Sequence, residues 1–415
     1  MYRIEPIMGN AAIIIFVITY IGVAMGSLPG LALDRTGIAL LGAIAMVIST
    51  VLTTQQAINS IDVSTILLLY SLMVVSAQLR LSGFYTHLAF SIARFARDPV
   101  KFLAVLMITS ALLSAVLAND IVCLAFTPVL CISLVQASIN PIPFLIGLAV
   151  SSNIGSAATI IGNPQNMLLG QLGNLDFGGF LLFCLLPSLA SLAAAFFILY
   201  FLYRNKFRQA ETGEIHERRH SWPEYNRHQS RKGLFVVLVL MVLFFTPVPR
   251  ELAALAMAGL LLCSRSMHTR SILGLIDWHL ITLFCGLFIV IAGIESTGLP
   301  STLALQLNSL GVDIRHPFNL AIFSSVLSNI VSNVPATMLI TKFLQAGQPL
   351  QWYVVALSST FAGNLITIGS IANLIVIEGA REYGITISFK EHARAGIPIT
   401  IVSILFTLLW IAVVR

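Results

Sequence analysis

The chain has 415 residues, of which 57% are hydrophobic and only 10% are charged, and its mean hydropathy is +0.93. Because an ordinary soluble domain is about 45–50% apolar and about 25% charged, this composition excludes a soluble enzyme, a disordered chain and a nucleic-acid-binding module. The net charge of +6 is typical of a polytopic membrane protein with basic cytoplasmic loops. The five cysteines form no CxxC pair, so we predict neither a zinc site nor a disulfide framework, and no cofactor.

Apolar runs of roughly the length that crosses a bilayer, about 20 residues, recur along the whole chain. One polar stretch, 204–232, interrupts them and carries eight Lys or Arg. We take the first run as a retained helix rather than a removed signal peptide, since only one basic residue, Arg3, precedes it and it lacks a compact small-residue cleavage site. The runs are 7–33, 36–61, 63–79, 102–117, 121–135, 144–172, 180–203, 234–248, 252–264, 280–294, 318–341, 352–377 and 396–414.

An internal repeat relates the two halves of the sequence. A shift of 215 residues places 61–83 on 276–298 with eight of 23 pairs identical, among them Asp62 on Asp277. The alternative is chance similarity between leucine-rich helices, but the polar landmarks that follow come in the same order in both halves. Segments 84–96 and 299–310 each follow the matched helix, and their mixed apolar and polar pattern predicts helices that lie in the membrane interface or, equally, ordinary loop helices.

The distribution of Lys and Arg predicts the orientation of the chain in the membrane. We assign 1–203 and 233–415 to two repeats, each with five transmembrane helices, a broken helix and one re-entrant hairpin (102–135 and 318–341). Placing 204–232 in the cytoplasm then puts 18 of the 23 Lys and Arg on that side. Five is odd, so the repeats are inverted, as in many secondary transporters. The sequence therefore predicts an all-α polytopic protein of a bacterial-type inner (plasma) membrane, with both termini outside.

Asp120 lies between the runs 102–117 and 121–135 and is the only charged residue inside the two predicted hairpins or any apolar run, and all eight histidines fall in loops or at helix ends. A carboxylate at membrane depth costs about 2.5–3.5 kcal/mol on insertion scales, and no Lys or Arg lies in the predicted core to pair with it. Burial favours its protonated form, which makes Asp120 a candidate proton carrier. The compatible alternative is that Asp120 caps a helix beginning at Ile121.

Amide and hydroxyl side chains interrupt the apolar runs at matched places in the two halves. Asn119 and Asn333 mark the tips of the two hairpins, where helix N-termini would point amides into the membrane. The segments 151–166 and 363–373 contain Gly, Pro and Asn that break a helix at depth, where free backbone groups are tolerated only beside a cavity or protein. Packing by small residues is the alternative, but packing does not require the asparagines. The predicted substrate-binding residues are Asn119, Asn153, Gly155, Ser156, Thr159, Gly162, Asn163, Asn166, Asn333, Gly363, Asn364, Thr367, Gly369, Ser370 and Asn373.

The two tips, together with 162–166 (Gly-Asn-Pro-Gln-Asn) and 369–373 (Gly-Ser-Ile-Ala-Asn), resemble the ion transporter superfamily over nearly the whole chain. That group includes arsenite–antimonite permeases, sodium/proton antiporters and divalent anion/sodium symporters. The symporters usually have Ser-Asn-Thr at both tips, whereas this chain has Ala-Asn-Asp at 118–120 and Ser-Asn-Val at 332–334, which is more similar to the arsenite permease branch. The 162–166 segment resembles the wider superfamily more than the best-known arsenite permeases. The resemblance implies an elevator-like carrier, in which hairpins and broken helices move against a scaffold.

Three hypotheses for the solute follow. The first is proton-coupled export of arsenite or antimonite, because arsenite is mostly an uncharged trihydroxide at neutral pH and suits a cavity of amides and hydroxyls; this would confer arsenical resistance. The second is sodium-coupled transport of a small carboxylate between opposed helix N-termini, and the third is sodium/proton antiport. Cys123 and Cys131 could instead bind trivalent arsenic, but a free Cys in an apolar run is more often a small hydrophobe.

The sequence also bears on two further classes of protein, intramembrane enzymes and passive channels. An intramembrane enzyme would require HExxH, paired acids or a buried His, and we find none of these in the predicted core. A passive channel would use the same polar groups as a carrier. We therefore expect a carrier with no catalytic or metal-binding residues, whose partners are a small solute, a coupling ion and membrane lipid.

Overall fold

The structure is a computed structural model that describes residues 6–26, 30–207, 222–311 and 313–414. Within these ranges every regular element is a helix, which confirms the predicted all-α fold. The first half contains α1 (Pro6–Met25), α2 (Arg35–Ile48), α3 (Thr54–Ser60), α4 (Val63–Leu81), α5 (Phe84–Ala93), α6 (Pro99–Val116), α7 (Asn119–Gln136), α8 (Ile142–Ser156), α9 (Pro164–Leu172) and α10 (Phe177–Tyr203).

The second half of the described chain repeats this order of ten α-helices. Its first helix starts inside the predicted polar stretch 204–232, so the last part of that stretch is helical, while 208–221 lies outside the described residues, as do Arg3 and Arg415. The second half contains α11 (Arg227–Leu243), α12 (Arg250–Leu262), α13 (Thr269–Leu273), α14 (Trp278–Ser296), α15 (Leu299–Ser309), α16 (Pro317–Val331), α17 (Asn333–Ile340), α18 (Pro349–Ala362), α19 (Ile371–Arg381) and α20 (Phe389–Val414).

Six helices of the described chain are long and apolar enough to cross a membrane: α4, α6, α7, α10, α14 and α20. Four shorter helices are also apolar, namely α1, α2, α8 and α16. This protein is therefore an integral membrane protein with many spans, as its composition predicted. Large apolar side chains such as Ile18, Leu182 and Leu305 are exposed on its outer surface, where lipid would cover them.

The two predicted helix breaks are present. The apolar run 144–172 forms α8 and α9 with a non-helical segment at 157–163, and the run 352–377 forms α18 and α19 with a break at 363–370 that includes one short 3₁₀ turn. Asn163 starts α9 as its N-cap, because its side-chain oxygen accepts a hydrogen bond from the amide of Asn166 at 2.9 Å and Pro164 provides a first turn that needs no N–H donor.

The predicted hairpins are the pairs α6–α7 and α16–α17, whose arms pack against each other. The open end of the first hairpin lies beside Arg94 and Arg97, which line one cavity together with Pro99 and Ser138. At the open end of the second hairpin, Arg315 Nε donates to the carbonyl of Phe343 at 3.2 Å. The first and last residues of each hairpin therefore lie close together, and the tip of the hairpin lies at the opposite end.

The repeated helices α4 and α14 are built alike. Asp62 caps α4 by accepting from the amide of Thr65 at 2.7 Å, and Asp277 caps α14 by accepting from Leu280 at 2.9 Å. Each helix is followed by a glycine in the left-handed region, with φ of 71° at Gly83 and 72° at Gly298, and then by the predicted short helices α5 and α15. The start of α4 lies beside the end of α14 and the reverse holds at their other ends, so these helices are antiparallel.

Most helix contacts fall within two groups, which meet where α1 contacts α16 and where α5, α9 and α17 contact both groups. Helices α1, α2, α4, α11, α12 and α14 contact one another, and α6, α7, α8, α10, α16, α18, α19 and α20 contact one another. In the second group, α8 lies so close to α6 that a Cβ on Gly155 would be within 2.4 Å of the Ala111 Cα. Gly155, a predicted binding residue, therefore has a packing role in joining the hairpin to the broken helix.

We expect Gly155→Ala to lower the free energy of unfolding by about 1–3 kcal/mol, because the new methyl group would overlap the backbone of α6. Gly259→Ala on α12 is the matched control, since no atom lies within 4 Å of a Cβ there and alanine improves helix propensity by up to about 1 kcal/mol. Apparent melting temperatures of the two purified variants check this prediction. Equal melting temperatures would contradict the close approach of α6 and α8.

Candidate functional site

The starts of four helices, α7, α9, α17 and α19, meet at one small cavity of about 20 Å³. This volume holds roughly one water molecule, so the site is closed in this conformation. The structure brings the two hairpin tips and the two helix breaks together, although they are far apart in sequence. The lining residues are Asn119, Asp120, Pro164, Gln165, Ser332, Asn333, Val334, Ser370 and Ile371.

Four convergent helix N-termini give the cavity a positive potential, because each has unpaired amides and the positive end of a helix dipole. The only acidic side chain in the lining is Asp120, the second residue of α7. One carboxylate and four partial positive charges therefore share the cavity. An uncharged polar solute is compatible with this balance, and a solute with several negative charges is opposed by ionised Asp120.

The carboxylate of Asp120 makes no hydrogen bond to any described residue. Helix α7 begins at Asn119 with Ala118 as its N-cap, and no side chain caps it, so the alternative prediction that Asp120 caps this helix was wrong. Asp120 also lines a second cavity of about 110 Å³ that adjoins the first at Pro164. It is therefore available to a solute or a proton from that side.

A basic residue lines the second cavity together with Asp120, which the sequence did not predict. Arg80 belongs to the last turn of α4, beyond the end of the apolar run at 79, and lines this cavity together with Asp277. The sequence predicted no basic residue in the core to pair with Asp120; α4 extends to Leu81, so Arg80 does line the same cavity. No ion pair joins Arg80 to Asp120 or Asp277 within the described chain, so all three charged groups face the cavity.

A third cavity, of about 360 Å³, lies at the opposite ends of α4 and α14. It contains Asp62 and an ion pair in which Lys342 Nζ lies 2.6 Å from a carboxylate oxygen of Glu295. In the 215-residue repeat, Asp62 corresponds to Asp277 and Glu295 corresponds to Arg80. The second and third cavities therefore occupy equivalent places in the two halves, but their charges differ.

Four hydrogen bonds converge on the side chain of Asn153 in α8. Its Nδ2 donates to the amide oxygens of Asn364 at 3.0 Å and Asn373 at 3.3 Å. Its oxygen accepts from Asn119 Nδ2 at 3.2 Å and from Ser370 Oγ at 2.9 Å. One buried amide thus joins the first hairpin tip to the helix break of the second half.

Contacts between the two breaks are reciprocal. Asn163 Nδ2 donates to Thr360 Oγ1 at 3.4 Å, and Ser370 Oγ donates to Asn153 Oδ1 at 2.9 Å. Asn163 follows Asn153 by ten residues, and Ser370 follows Thr360 by ten residues. Reciprocal contacts of this kind are what a two-fold axis between two similar units produces.

Backbone carbonyls freed by each break bond to an asparagine of the following helix. Asn166 Nδ2 donates to the carbonyls ten and seven residues before it, Ser156 at 3.2 Å and Thr159 at 2.9 Å. Asn373 Nδ2 donates to the carbonyls at the same two spacings, Gly363 at 2.8 Å and Ile366 at 3.1 Å. The two breaks therefore have the same local design.

Of the remaining predicted residues, some bond within the first break or to the first hairpin, and one lies outside the cavities at Asp120. Ser156 Oγ accepts from Asn163 Nδ2 at 2.9 Å, and the Gly162 carbonyl accepts from the Asn119 amide at 3.3 Å. Thr159 Oγ1 donates to the Ala115 carbonyl. Thr367 is only partly buried and lines neither cavity at Asp120. Cys123 and Cys131 are buried in α7 and also line neither of these cavities, so the thiol hypothesis for arsenic gains no support.

The second hairpin tip contacts the second break. With its amide oriented so that both atoms are satisfied, Asn333 donates to the carbonyls of Gly369 at 3.0 Å and Ser359 at 3.2 Å. A Cβ on Gly363 would lie 2.7 Å from this amide, so a larger residue there would displace the Asn333 side chain.

Several residues at the site were not predicted from the sequence. Gln165 Nε2 donates to Thr360 Oγ1 at 3.3 Å, and the ten-residue spacing from Thr360 to Ser370 was the signal that could have found Thr360. His392, assigned from sequence to a helix end outside the core, is buried at 1% exposure in the first turn of α20. The statement that the core contains no histidine was therefore wrong.

Comparison with known proteins identifies the family. The model of the citrate transporter family, CitMHS, matches residues 13–361. This chain belongs to that family. The family is part of the ion transporter superfamily, as the motifs predicted, and its members are transporters rather than enzymes.

Three relatives illustrate the range of the family. An uncharacterized transporter of Mycobacterium tuberculosis is 30% identical, with 96% of each chain covered. The silicon efflux transporter LSI3 of Oryza sativa is 27% identical, again with 96% of each chain covered. A putative transporter named arsB from Dictyostelium discoideum is 22% identical, with 90% of this chain and 86% of the relative covered.

We expect Asn153→Ala to destabilise the protein by about 1–3 kcal/mol, because it leaves buried polar groups on Asn364, Asn373 and Ser370 with fewer partners. Ser403→Ala on α20 is the control, since the Ser403 hydroxyl is buried and makes no hydrogen bond. Apparent melting temperatures measure both changes. A result in which the two variants lose the same stability would contradict the network.

We expect Ser332→Gly to stabilise the protein by about 1 kcal/mol, because Ser332 has φ of 74° and ψ of 159°, a backbone region that is almost exclusive to glycine. The equivalent residue at the first tip, Ala118, has an ordinary φ of −57°. Ala118→Gly should therefore lower stability by about 0.5–1 kcal/mol. Apparent melting temperatures of the two variants measure both changes. Shifts of the melting temperature in the same direction would contradict the strain at Ser332.

Proposed function

We propose that this transporter exports small uncharged oxyacids, arsenite and antimonite above all, in exchange for protons across the inner (plasma) membrane. The observation that carries the proposal is the unpaired carboxylate of Asp120 in a cavity otherwise lined by amides, hydroxyls, apolar side chains and helix N-termini. The predicted binding residues and the coupling role of Asp120 are part of this proposal.

The charge of the site favours an uncharged solute. Ionised Asp120 already balances much of the positive potential of the four helix N-termini, so an added anion would be repelled by the carboxylate. A neutral hydroxide gains hydrogen bonds to Asn119, Asn333 and Gln165 without electrostatic cost. Protonation of Asp120 changes the net charge by one unit, which supplies a physical link between proton binding and solute binding.

The names of two relatives support the same class of solute. One is named a silicon efflux transporter and another a putative arsB. Silicic acid and arsenous acid are both small hydroxides that are uncharged at neutral pH. A site that recognises several hydroxyl groups around a small central atom would accept either.

The second candidate is sodium-coupled transport of a small carboxylate, and the family's description as citrate transporters favours it. Four helix N-termini attract a carboxylate, and Arg80 lines the approach to Asp120. Under this reading Asp120 must be protonated, or neutralised by a bound cation, before the anion enters. Sodium/proton antiport at the same carboxylate is the remaining alternative.

We further propose that residues 1–203 and 233–415 are inverted repeats joined by a cytoplasmic loop at 204–232, with both termini outside. The ten-helix order, the antiparallel α4 and α14, and the reciprocal contacts between the breaks support a two-fold axis in the membrane plane. The second and third cavities would then open toward the cytoplasm and the outside. The hairpins α6–α7 and α16–α17 and the broken helices α8–α9 and α18–α19 would move as an elevator against the remaining helices, which include α4 and α14.

We expect Asp120→Asn to reduce arsenite transport driven by a pH gradient at least about tenfold, because the amide cannot carry the coupled proton. Proteoliposomes with an imposed pH gradient measure this rate. Asp176→Asn is the matched control, since Asp176 caps α10 and lines neither cavity at Asp120, and it should retain the wild-type rate.

The same vesicles distinguish the candidates. Arsenite, antimonite and silicic acid are each compared with citrate, with and without a sodium gradient. Undiminished transport by Asp120→Asn removes Asp120 from the coupling mechanism, and sodium-dependent citrate uptake without arsenite transport replaces the first candidate with the second.

A further inference from the structure

His392 is a buried titratable side chain to which the proposed mechanism gives no role. It lies in the first turn of α20, and its Nε2 is 3.2 Å from the backbone carbonyl of Asn364 in the second helix break. Because a carbonyl only accepts hydrogen bonds, Nε2 carries the hydrogen and donates it. The ring is therefore oriented by the break itself.

Helix α20 is packed directly on this part of the break. A Cβ on Gly396 would lie 2.2 Å from the carbonyl oxygen of Asn364, so only glycine allows the approach that His392 requires. One turn further along, Thr400 Oγ1 donates to the carbonyl of Phe361 at 3.3 Å. Two side chains of α20 thus bond to carbonyls at the end of α18 and in the break that follows it.

The first half has no equivalent of this contact. The fourth residue of α20 is His392, and the fourth residue of α10 is Phe180, which is buried but has no polar group to offer. The fold therefore does not require a hydrogen-bond donor at this position. A polar residue that only one half contains is better explained by something that only that half does.

The side chain of Asn364 connects His392 to the site. Its oxygen accepts from Asn153 Nδ2 at 3.0 Å, while its own Nδ2 is buried and has no partner among the described residues. Asn153 in turn contacts Asn119 at the first hairpin tip. A shift of the Asn364 backbone would therefore reach the residue next to Asp120 through two hydrogen bonds.

We propose that His392 is a positioning residue: by holding the Asn364 carbonyl, it fixes the second helix break so that the Asn364 and Asn153 amides keep Asn119 in place at the central cavity. The transport part of this inference rests on the proposed function. The effect on the break does not, because it concerns the folded protein alone.

The test compares His392→Phe, which installs the residue found in the first half, with His392→Gln, whose amide can still donate to Asn364. Ser403→Ala, a buried change on the same helix, is the matched control. Hydrogen–deuterium exchange is followed at 362–370 and, as an internal reference, at 157–163 in the first break. The KM and maximal rate for arsenite are measured in vesicles.

With His392→Phe we expect exchange at 362–370 to accelerate roughly fivefold or more while 157–163 is unchanged, because one buried hydrogen bond is lost locally. The KM for arsenite should rise roughly three- to tenfold. His392→Gln should restore both values to within about twofold of wild type. Ser403→Ala should change neither.

Three results would overturn the proposal: unchanged exchange at 362–370 in His392→Phe, an increase of equal size in both breaks, or faster exchange with an unchanged KM. If His392→Phe does not fold, His392→Leu replaces it. If neither variant folds, a folded His392→Gln supports the need for the hydrogen bond to Asn364, and an unfolded His392→Gln overturns the proposal. If the wild-type protein moves no arsenite, the proposed function fails and the exchange data alone decide the role of His392.

Discussion

A helix that breaks inside a membrane leaves backbone amides and carbonyls without partners, and hydrocarbon offers none. This constraint governs the centre of the molecule, because α8–α9 and α18–α19 both break there. Asn166 and Asn373 bond to two freed carbonyls each, and Asn153 ties the breaks to each other. Asn153 also bonds to Asn119, which lines the central cavity, so the network of asparagines at the breaks also positions the site.

The site has almost no full charge. Four helix N-termini supply partial positive charge, and Asp120 supplies the single negative charge in the lining of the central cavity. Under the proposed exchange, these groups would bind an uncharged hydroxylated solute when the cavity opens, and one proton alters their net charge substantially. The solute and the proton then interact through the same few atoms, which is the physical basis for the proposed exchange.

The two halves are similar in structure but differ at the positions that carry chemistry. Asp120 corresponds to Val334 at the other hairpin tip. Across the adjoining cavities Arg80 corresponds to Glu295, which is paired with Lys342. At the start of the last helix of each half, His392 stands where the first half has an apolar ring. Shared residues, chiefly the capping aspartates, glycines and asparagines, maintain the backbone, and the differences mark where a proton, a solute or a change of conformation would be handled.

Composition and apolar run length determined from sequence alone that this is an all-α membrane protein, since hydrophobic length is a local property of the chain. The repeated polar residues also located both helix breaks and both hairpin tips, including Asn119 and Asn333. The sequence did not predict which residues from distant parts of the chain lie close together. The presence of Arg80 in the cavity of Asp120 and the burial of His392 depend on how far a helix extends and on which helix packs beside it. Only the tertiary structure decides these, because contacts between residues far apart in the chain leave no local pattern.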